Sequence, residues 1–147
     1  MSNGAMAASW ICRIVAAFLM GMTLYFKFMG AELPVAIFTT LGVDPWGRYV
    51  IGILELFAIL MLIFPKTVPI GAVLTIGLMG GAILSHVTVL GISLEGIKEN
   101  LPEASMDQVP DPSLFAFAWV TLLCAVILLV IHKDQLNRII KRERAAQ

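Results

Sequence analysis

The sequence predicts an all-α integral membrane protein, a four-helix bundle with a short interfacial helix in the first outside loop. Of the 147 residues, 59% are hydrophobic and only 14% are charged, whereas soluble domains average about 25% charged residues. Four apolar runs are long enough to cross a bilayer, which requires roughly 17–25 residues. Because lipid offers no hydrogen bonds to the backbone, each run is expected to be helical.

The four predicted spans cover residues 9–29, 48–64, 68–90 and 114–132, and a basic tail follows over residues 133–147. The first span is expected to be a retained helix rather than a cleaved signal peptide. No Lys or Arg precedes its apolar run, and no small-residue cleavage site ends it. At this length a single membrane domain is expected.

The connections between the spans have distinct characters. The first outside loop contains "LPVAIFTTLG", which is apolar but too short to span, and this favours an interfacial or re-entrant helix that caps the bundle. Pro65 and Pro69 bracket a very short turn, so the second and third spans should form an antiparallel hairpin. The second outside loop, "ISLEGIKENLPEASMDQVPDP", is predicted to be solvated and partly irregular.

The distribution of basic residues predicts the orientation. The tail holds five Lys/Arg residues and the hairpin turn holds Lys66, whereas the second outside loop has five acidic residues and one lysine. Excess Lys and Arg mark the cytoplasmic side. We therefore expect both termini in the cytoplasm, and a tail that lies against anionic lipid.

Several functional classes receive no support. A net charge of zero gives no electrostatic reason to expect nucleic acid binding. Cys12 and Cys124 belong to no cluster with metal-ligand spacing, so no metal site is predicted and both thiols are expected to be buried and inert. A heme is disfavoured because His86 is the only histidine well inside a span, while His132 lies at the boundary.

Arg48 and His132 are terminal residues of their predicted spans, but four other ionisable residues lie inside the spans, where they are costly and commonly mark function: Arg13, Lys27, Glu55 and His86. With a rise of about 1.5 Å per residue, Glu55 lies roughly 10 Å and His86 roughly 6–8 Å below the outer membrane boundary. Lys27, near the outer end of the first span, reaches the same depth. Because an isolated buried carboxylate is strongly penalised, Glu55 should be protonated or paired with Lys27 or His86.

Each of these residues also has a purely structural interpretation. Lys27 could extend to the outer headgroups and Arg13 to the inner ones, and His86 could be a packing residue. Ser85 and Thr88 flank His86 and could supply hydroxyl partners, although such residues commonly bond to their own helix.

Two glycines of the third span, Gly77 and Gly81, form a small-xxx-small pattern. This pattern predicts close helix contact, within the bundle rather than in a dimer.

The order and spacing of several short motifs resemble the DoxX family of small bacterial four-helix membrane proteins. A first helix with Arg13, Gly21 and Lys27 leads through "MGAELPVAIFTTLGVDP" to "GILELFAILMLIFP", then to "GAVLTIGLMGGAILSHVTV" and a fourth helix. The resemblance covers about Arg13 to Val130. It implies an integral protein of the bacterial inner membrane. Some members of the family associate with redox assemblies, including a thiosulfate:quinone oxidoreductase and a thiol or superoxide detoxification complex, so a similar association is an expectation for this chain. The lack of a CxxC pair argues against direct dithiol chemistry in this chain.

The residues and the resemblance together leave three hypotheses. The first is a component of a membrane redox system in which Lys27, Glu55 and His86 hold a quinone-like or other small polar headgroup. In this hypothesis His86 and Lys27 donate hydrogen bonds to carbonyl oxygens of the ligand, and Glu55 relays a proton. The second is a proton-coupled transporter or channel subunit, which with four spans would act as a homo-oligomer. The third is a membrane adaptor whose buried pair fixes helix register, while its loop or tail contacts a redox partner protein.

Overall fold

The structure is a computed structural model that describes residues 3–103, 105 and 111–145. Within these residues the chain folds into α-helices, a π-helical turn and a 3₁₀ helix, joined by short connections. The α-helices are α1 (Asn3–Met29), α2 (Glu32–Thr40), α3 (Trp46–Ile63), α4 (Val68–Ser85), α5 (Ser113–Ile131) and α6 (Lys133–Ala145). The π turn is His86–Leu90 and the 3₁₀ helix is Glu95–Asn100.

The predicted fold class is confirmed. Four of the described helices, α1, α3, α4 with its π turn, and α5, are long and apolar enough to cross a membrane. Three of them match the predicted spans to within two residues, but α1 begins at Asn3 rather than near residue 9. The additional turns contain Ala5, Ala7 and Ala8, and alanine has the highest intrinsic helix propensity.

The four spanning helices form a closed ring in which each contacts two neighbours. α1 packs against α3 and α5, and α4 packs against the same two helices, so α1 and α4 face each other across the bundle. Both α1 and α4 begin on the side where α5 ends, which we call the terminal side; the opposite side is the loop side. Apolar clusters fill the terminal half and the middle of the bundle.

The helix predicted in the first outside loop is present as α2, and it packs against the 3₁₀ helix of the second loop. Ala36, Leu94 and Ile97 are fully or almost fully buried between these two elements. The second loop is therefore less solvated than its composition suggested, because its leucines and isoleucine cover the end of the bundle. Residues 104 and 106–110 of this loop lie outside the described residues.

At the terminal side, Arg13 binds the end of α3. Its Nε and Nη2 donate hydrogen bonds to the carbonyl oxygens of Leu62 and Ile63, which have no partner within their own helix. The guanidinium also lies 3.9 Å from the ring centroid of Trp10, a cation–π distance. Of the two interpretations open to Arg13, extension to the inner headgroups is therefore not the one seen: the residue is buried and its guanidinium binds the end of α3.

A second polar network joins α1 to two connections on the terminal side, the α5–α6 junction and the α3–α4 turn. The side chain of Gln135 donates from Nε2 to the carbonyls of Pro65 (2.9 Å) and Lys66 (2.7 Å). Its Oε1 must therefore accept from Nδ1 of His132, 3.0 Å away, which leaves Nε2 to accept from the Ser9 hydroxyl at 2.8 Å. The network fixes α1, the α5–α6 junction and the α3–α4 turn relative to one another.

Two glycines of α4 have different surroundings, so their substitution by alanine should have opposite effects on stability. In Gly71→Ala the new Cβ would lie 2.8 Å from Cβ of Met61 and 3.0 Å from the backbone nitrogen of Leu62, an overpacking that should cost about 1–3 kcal/mol. In Gly80→Ala the new Cβ meets no atom within 4 Å, so the higher helix propensity of alanine should stabilise by about 0.5–1 kcal/mol. The unfolding midpoints of the wild type and of both variants are measured in nanodiscs. Equal midpoints for the two variants would contradict the close approach of Gly71 to α3.

Candidate functional site

Lys27 and Glu55 form an ion pair within the membrane-spanning region. Lys27 Nζ lies 2.6 Å from Oε1 and 2.7 Å from Oε2 of Glu55, so the ammonium donates to both carboxylate oxygens. The Glu55 side chain is 4% exposed and that of Lys27 is 14% exposed. The carboxylate therefore has a partner for its charge, as its position in an apolar span requires.

The pair forms because α1 and α3 approach closely at this level. Gly52, one turn before Glu55, lies against α1, and a Cβ added there would be 3.2 Å from the ring of Phe28 and 3.4 Å from Leu24. The absence of a side chain at Gly52 brings the two helix axes together. Lys27, in the last turn of α1, can then reach Glu55 with its flexible side chain.

Arg48 holds the end of α1 that carries Lys27, and sequence reasoning missed it by treating it as the start of a span. Its Nη1 donates a hydrogen bond to the backbone carbonyl of Lys27, and its Nε donates to Oδ1 of Asp44 at 2.7 Å. The guanidinium also lies 4.6 Å from the ring centroid of Tyr49. The i,i+4 spacing of Asp44 and Arg48 was the signal that could have shown a buried arginine.

His86 lies apart from the ion pair. Its ring is 5% exposed, its centroid is 5.6 Å from that of Phe115, and Nδ1 lies 3.1 Å from the carbonyl oxygen of Gly91. Because a carbonyl only accepts, Nδ1 carries the proton of this hydrogen bond, and a ring with that one proton presents Nε2 as an acceptor. Within the described residues, Nε2 has no hydrogen-bond partner, and His86 is not bonded to Lys27 or Glu55.

The two hydroxyls beside His86 bond to their own helix. Ser85 donates to the carbonyl of Gly81 at 2.9 Å, and Thr88 donates to the carbonyl of Leu84 at 2.8 Å. The expectation that they act as partners of His86 is therefore not met in this structure. The π geometry of His86–Leu90 is the more informative local feature, since π-helical turns are rare and are frequent at functional sites.

A cavity of about 800 Å³ on the loop side of the bundle connects the ion pair with His86. Its walls come from α1, α3, α4 and α5, and α2 covers it. The lining is mostly apolar, and its ionisable residues are Lys27, Glu32, Glu55, His86 and Asp111. A large apolar cavity with a few convergent polar groups is the usual form of a small-molecule site. Arg13 lies at the opposite end of the bundle and Thr88 faces outward, so neither lines this cavity.

Gly77 and Gly81 line the cavity instead of packing against another helix, so the predicted close contact is wrong. A Cβ added at either position would meet no atom within 4 Å. Near the hairpin turn, by contrast, Gly71 packs tightly on α3. A small-xxx-small pattern shows that one face of a helix has no large side chains. The arrangement of the other helices decides whether that face contacts a neighbouring helix or lines a cavity.

The two cysteines, which are far apart in sequence, belong to one apolar cluster on the terminal side. Cys12 of α1 is buried, and Cys124 of α5 is partly buried and packs against the same cluster. Neither lines the cavity. In the described part of the chain, no group of three or more His, Cys, Asp or Glu residues is arranged to hold a metal ion.

The fold and the cavity together define a small multi-pass membrane protein with an internal polar site. The chain matches the model of the DoxX-like family over residues 11–91, more than half of its length, and it belongs to that family. The matched range contains Lys27, Glu55 and His86 and ends at Gly91, the partner of His86. No curated protein and no solved structure gives a match.

Substitutions of Lys27 and Glu55 should have strongly non-additive effects on the free energy of unfolding, because the two residues form a buried ion pair. Lys27→Met leaves the Glu55 carboxylate without a cation and should destabilise the protein by about 3–5 kcal/mol. The double variant Lys27→Met/Glu55→Met removes both charges from an apolar region and should recover most of that loss. Unfolding in nanodiscs measures each variant, with Lys98→Met, an exposed lysine of the 3₁₀ helix, as the control. A double variant that loses the sum of the two single losses would contradict the prediction.

Proposed function

We propose that this DoxX-like protein binds the headgroup of a neutral, lipid-soluble redox carrier of the quinone class, as a component or accessory of a membrane redox system. The observation that carries the proposal is the cavity, about 800 Å³ and mostly apolar, with the Lys27–Glu55 pair on one wall and His86 on another. Such a lining suits a ligand that has an apolar body and a small hydrogen-bonding head.

The polar groups suit both redox forms of such a carrier, since a quinone presents carbonyl oxygens and a quinol presents hydroxyl groups. Two of the three Nζ–H groups of Lys27 point to Glu55, which leaves a third to donate to a ligand carbonyl oxygen. In the tautomer whose single proton bonds to Gly91, Nε2 of His86 is an acceptor, so it suits a ligand hydroxyl rather than a carbonyl. This differs from the sequence hypothesis, in which His86 donated, because the Gly91 carbonyl already takes the ring N–H.

In the proposed site, Glu55 exchanges a proton with the ligand. A carboxylate that is held by one ammonium can accept a proton from a bound hydroxyl and return it, which is the role of a general acid–base group in an apolar site. Lys27 keeps that carboxylate oriented in both states.

The charge of the cavity supports a neutral ligand over an anion. Among the described residues, three carboxylates line it, those of Glu32, Glu55 and Asp111, against one ammonium, that of Lys27. An excess of carboxylates repels anions such as thiosulfate or superoxide. If the redox partner of this protein acts on such an anion, we expect that reaction to occur on the partner and not in this cavity.

Packing on the terminal side favours a binding site over a conduction path. The terminal half of the bundle is filled by Ala16, Leu62, Val68 and Leu128, all with no exposed surface. The lining of the cavity does not include these residues. A proton-coupled transporter would need this half to open, whereas a ligand site needs only the loop-side cavity.

We also propose that the chain lies in the bacterial cytoplasmic membrane with both termini in the cytoplasm. The exposed cations Lys66, Arg138 and Lys141 lie on the terminal side, whereas Glu95 and Glu99 lie on the loop side. An excess of Lys and Arg on one side supports a cytoplasmic position for that side.

Quinone analysis of the purified full chain tests the proposed function. The wild-type protein, extracted in mild detergent, should retain quinone detectable by mass spectrometry and should bind added short-chain ubiquinone or menaquinone saturably. Gly81→Leu should weaken that binding about tenfold or more, which is about 1.4 kcal/mol, because the leucine enters the cavity.

Gly80→Leu is the matched control. Gly80 is exposed, lies on the same helix and is equally free of contacts, but does not line the cavity. It should bind quinone as the wild type does. A wild-type protein without bound quinone and without saturable binding would overturn the proposed function. Equal losses in the two leucine variants would show that the cavity is not the site.

A further inference from the structure

α6 begins at the level where the spanning helices end. α5 ends at Ile131, and His132 departs from helical geometry with φ −101° and ψ 15°. One turn later, Gln135 donates to the carbonyls of Pro65 and Lys66 in the α3–α4 turn. α6 also contacts α4. These contacts hold the start of α6 against the terminal side of the hairpin, at the membrane surface.

The side chains of α6 are separated into an apolar and a basic face. Leu136, Ile139 and Ile140 recur with i, i+3, i+4 spacing on one side of the helix. Ile140 is 42% exposed, so the bundle does not cover the apolar face completely. An apolar strip at the surface of a membrane can be buried in the outer part of the lipid layer.

The rest of the helix surface, beside and opposite the apolar strip, carries positive charge. Arg138, Lys141 and Arg144 recur every three residues and are exposed, and Lys133 and Lys66 are exposed nearby. Asp134 is the only acidic residue among the α6 side chains that the structure describes. Each Lys or Arg near an anionic membrane surface contributes about 1 kcal/mol of attraction.

We propose that α6 is an interfacial helix that binds anionic phospholipid headgroups through Arg138, Lys141 and Arg144 while its Leu136–Ile140 face enters the lipid. The headgroup phosphates satisfy the exposed cations, and the acyl region covers Ile140. Because Gln135 and His132 tie α6 to the α3–α4 turn and to Ser9, the bound lipid layer also holds these elements together. This role is independent of any ligand in the cavity.

Hydrogen–deuterium exchange of the full chain tests the proposal. The probes are nanodiscs of phosphatidylcholine alone and nanodiscs of phosphatidylcholine mixed with phosphatidylglycerol. Amides of residues 133–145 should exchange more slowly in the mixed bilayer, and high salt should remove the difference because it screens exposed charges. Each of Arg138→Gln, Lys141→Gln and Arg144→Gln should reduce the lipid-dependent protection roughly fivefold.

Lys98→Gln, which removes an exposed cation from the loop side, should leave the protection unchanged. Glutamine has a helix propensity close to that of Lys and Arg, so α6 itself should still form in the variants. Equal exchange of the wild type in the two bilayers, or a difference that high salt does not alter, would overturn the proposal. Soluble phosphate that protects α6 in phosphatidylcholine nanodiscs would equally overturn it, because the proposed ligand is the lipid surface.

Discussion

The last carbonyl groups of a spanning helix need donors that lipid does not provide, and α1 and α3 supply them to each other. Arg13, in the first half of α1, donates to Leu62 and Ile63 at the end of α3. Arg48, at the start of α3, donates to the carbonyl of Lys27 at the end of α1. A cation at a helix C-terminus is also favoured by the helix dipole. The two arginines fix one register between these antiparallel helices, and the rest of the site depends on that register.

The fixed register places Lys27 beside Glu55 and leaves an open volume next to them. Gly52 lets α1 and α3 approach, whereas Gly77 and Gly81 of α4, across the bundle, approach nothing. Glycine therefore serves two opposite purposes in neighbouring helices. One glycine closes a helix contact and holds the ion pair, and the other two keep the cavity open beside it. The ion pair is consequently both a structural link and the main polar group available to a ligand.

The two sides of the molecule differ in packing and in charge. The loop side contains the cavity, three lining carboxylates and a cover made by α2 and the 3₁₀ helix. The terminal side is densely packed, joined by the His132 network and surrounded by exposed cations. The proposed ligand site and the proposed lipid-binding helix therefore lie on opposite sides of the molecule and share few residues.

The four spans and the hairpin follow from the sequence alone, because the length of an apolar run is a property of local composition. The need of Glu55 for a partner also follows from it, because a carboxylate in an apolar span has a high cost of desolvation. The sequence did not determine that the partner is Lys27 rather than His86, that Arg48 is buried, or that Gly77 and Gly81 face a cavity. Those outcomes depend on how each helix is rotated toward its neighbours. Long-range packing sets that rotation, and in spans that are apolar on nearly every face the periodicity of the sequence carries little information about it.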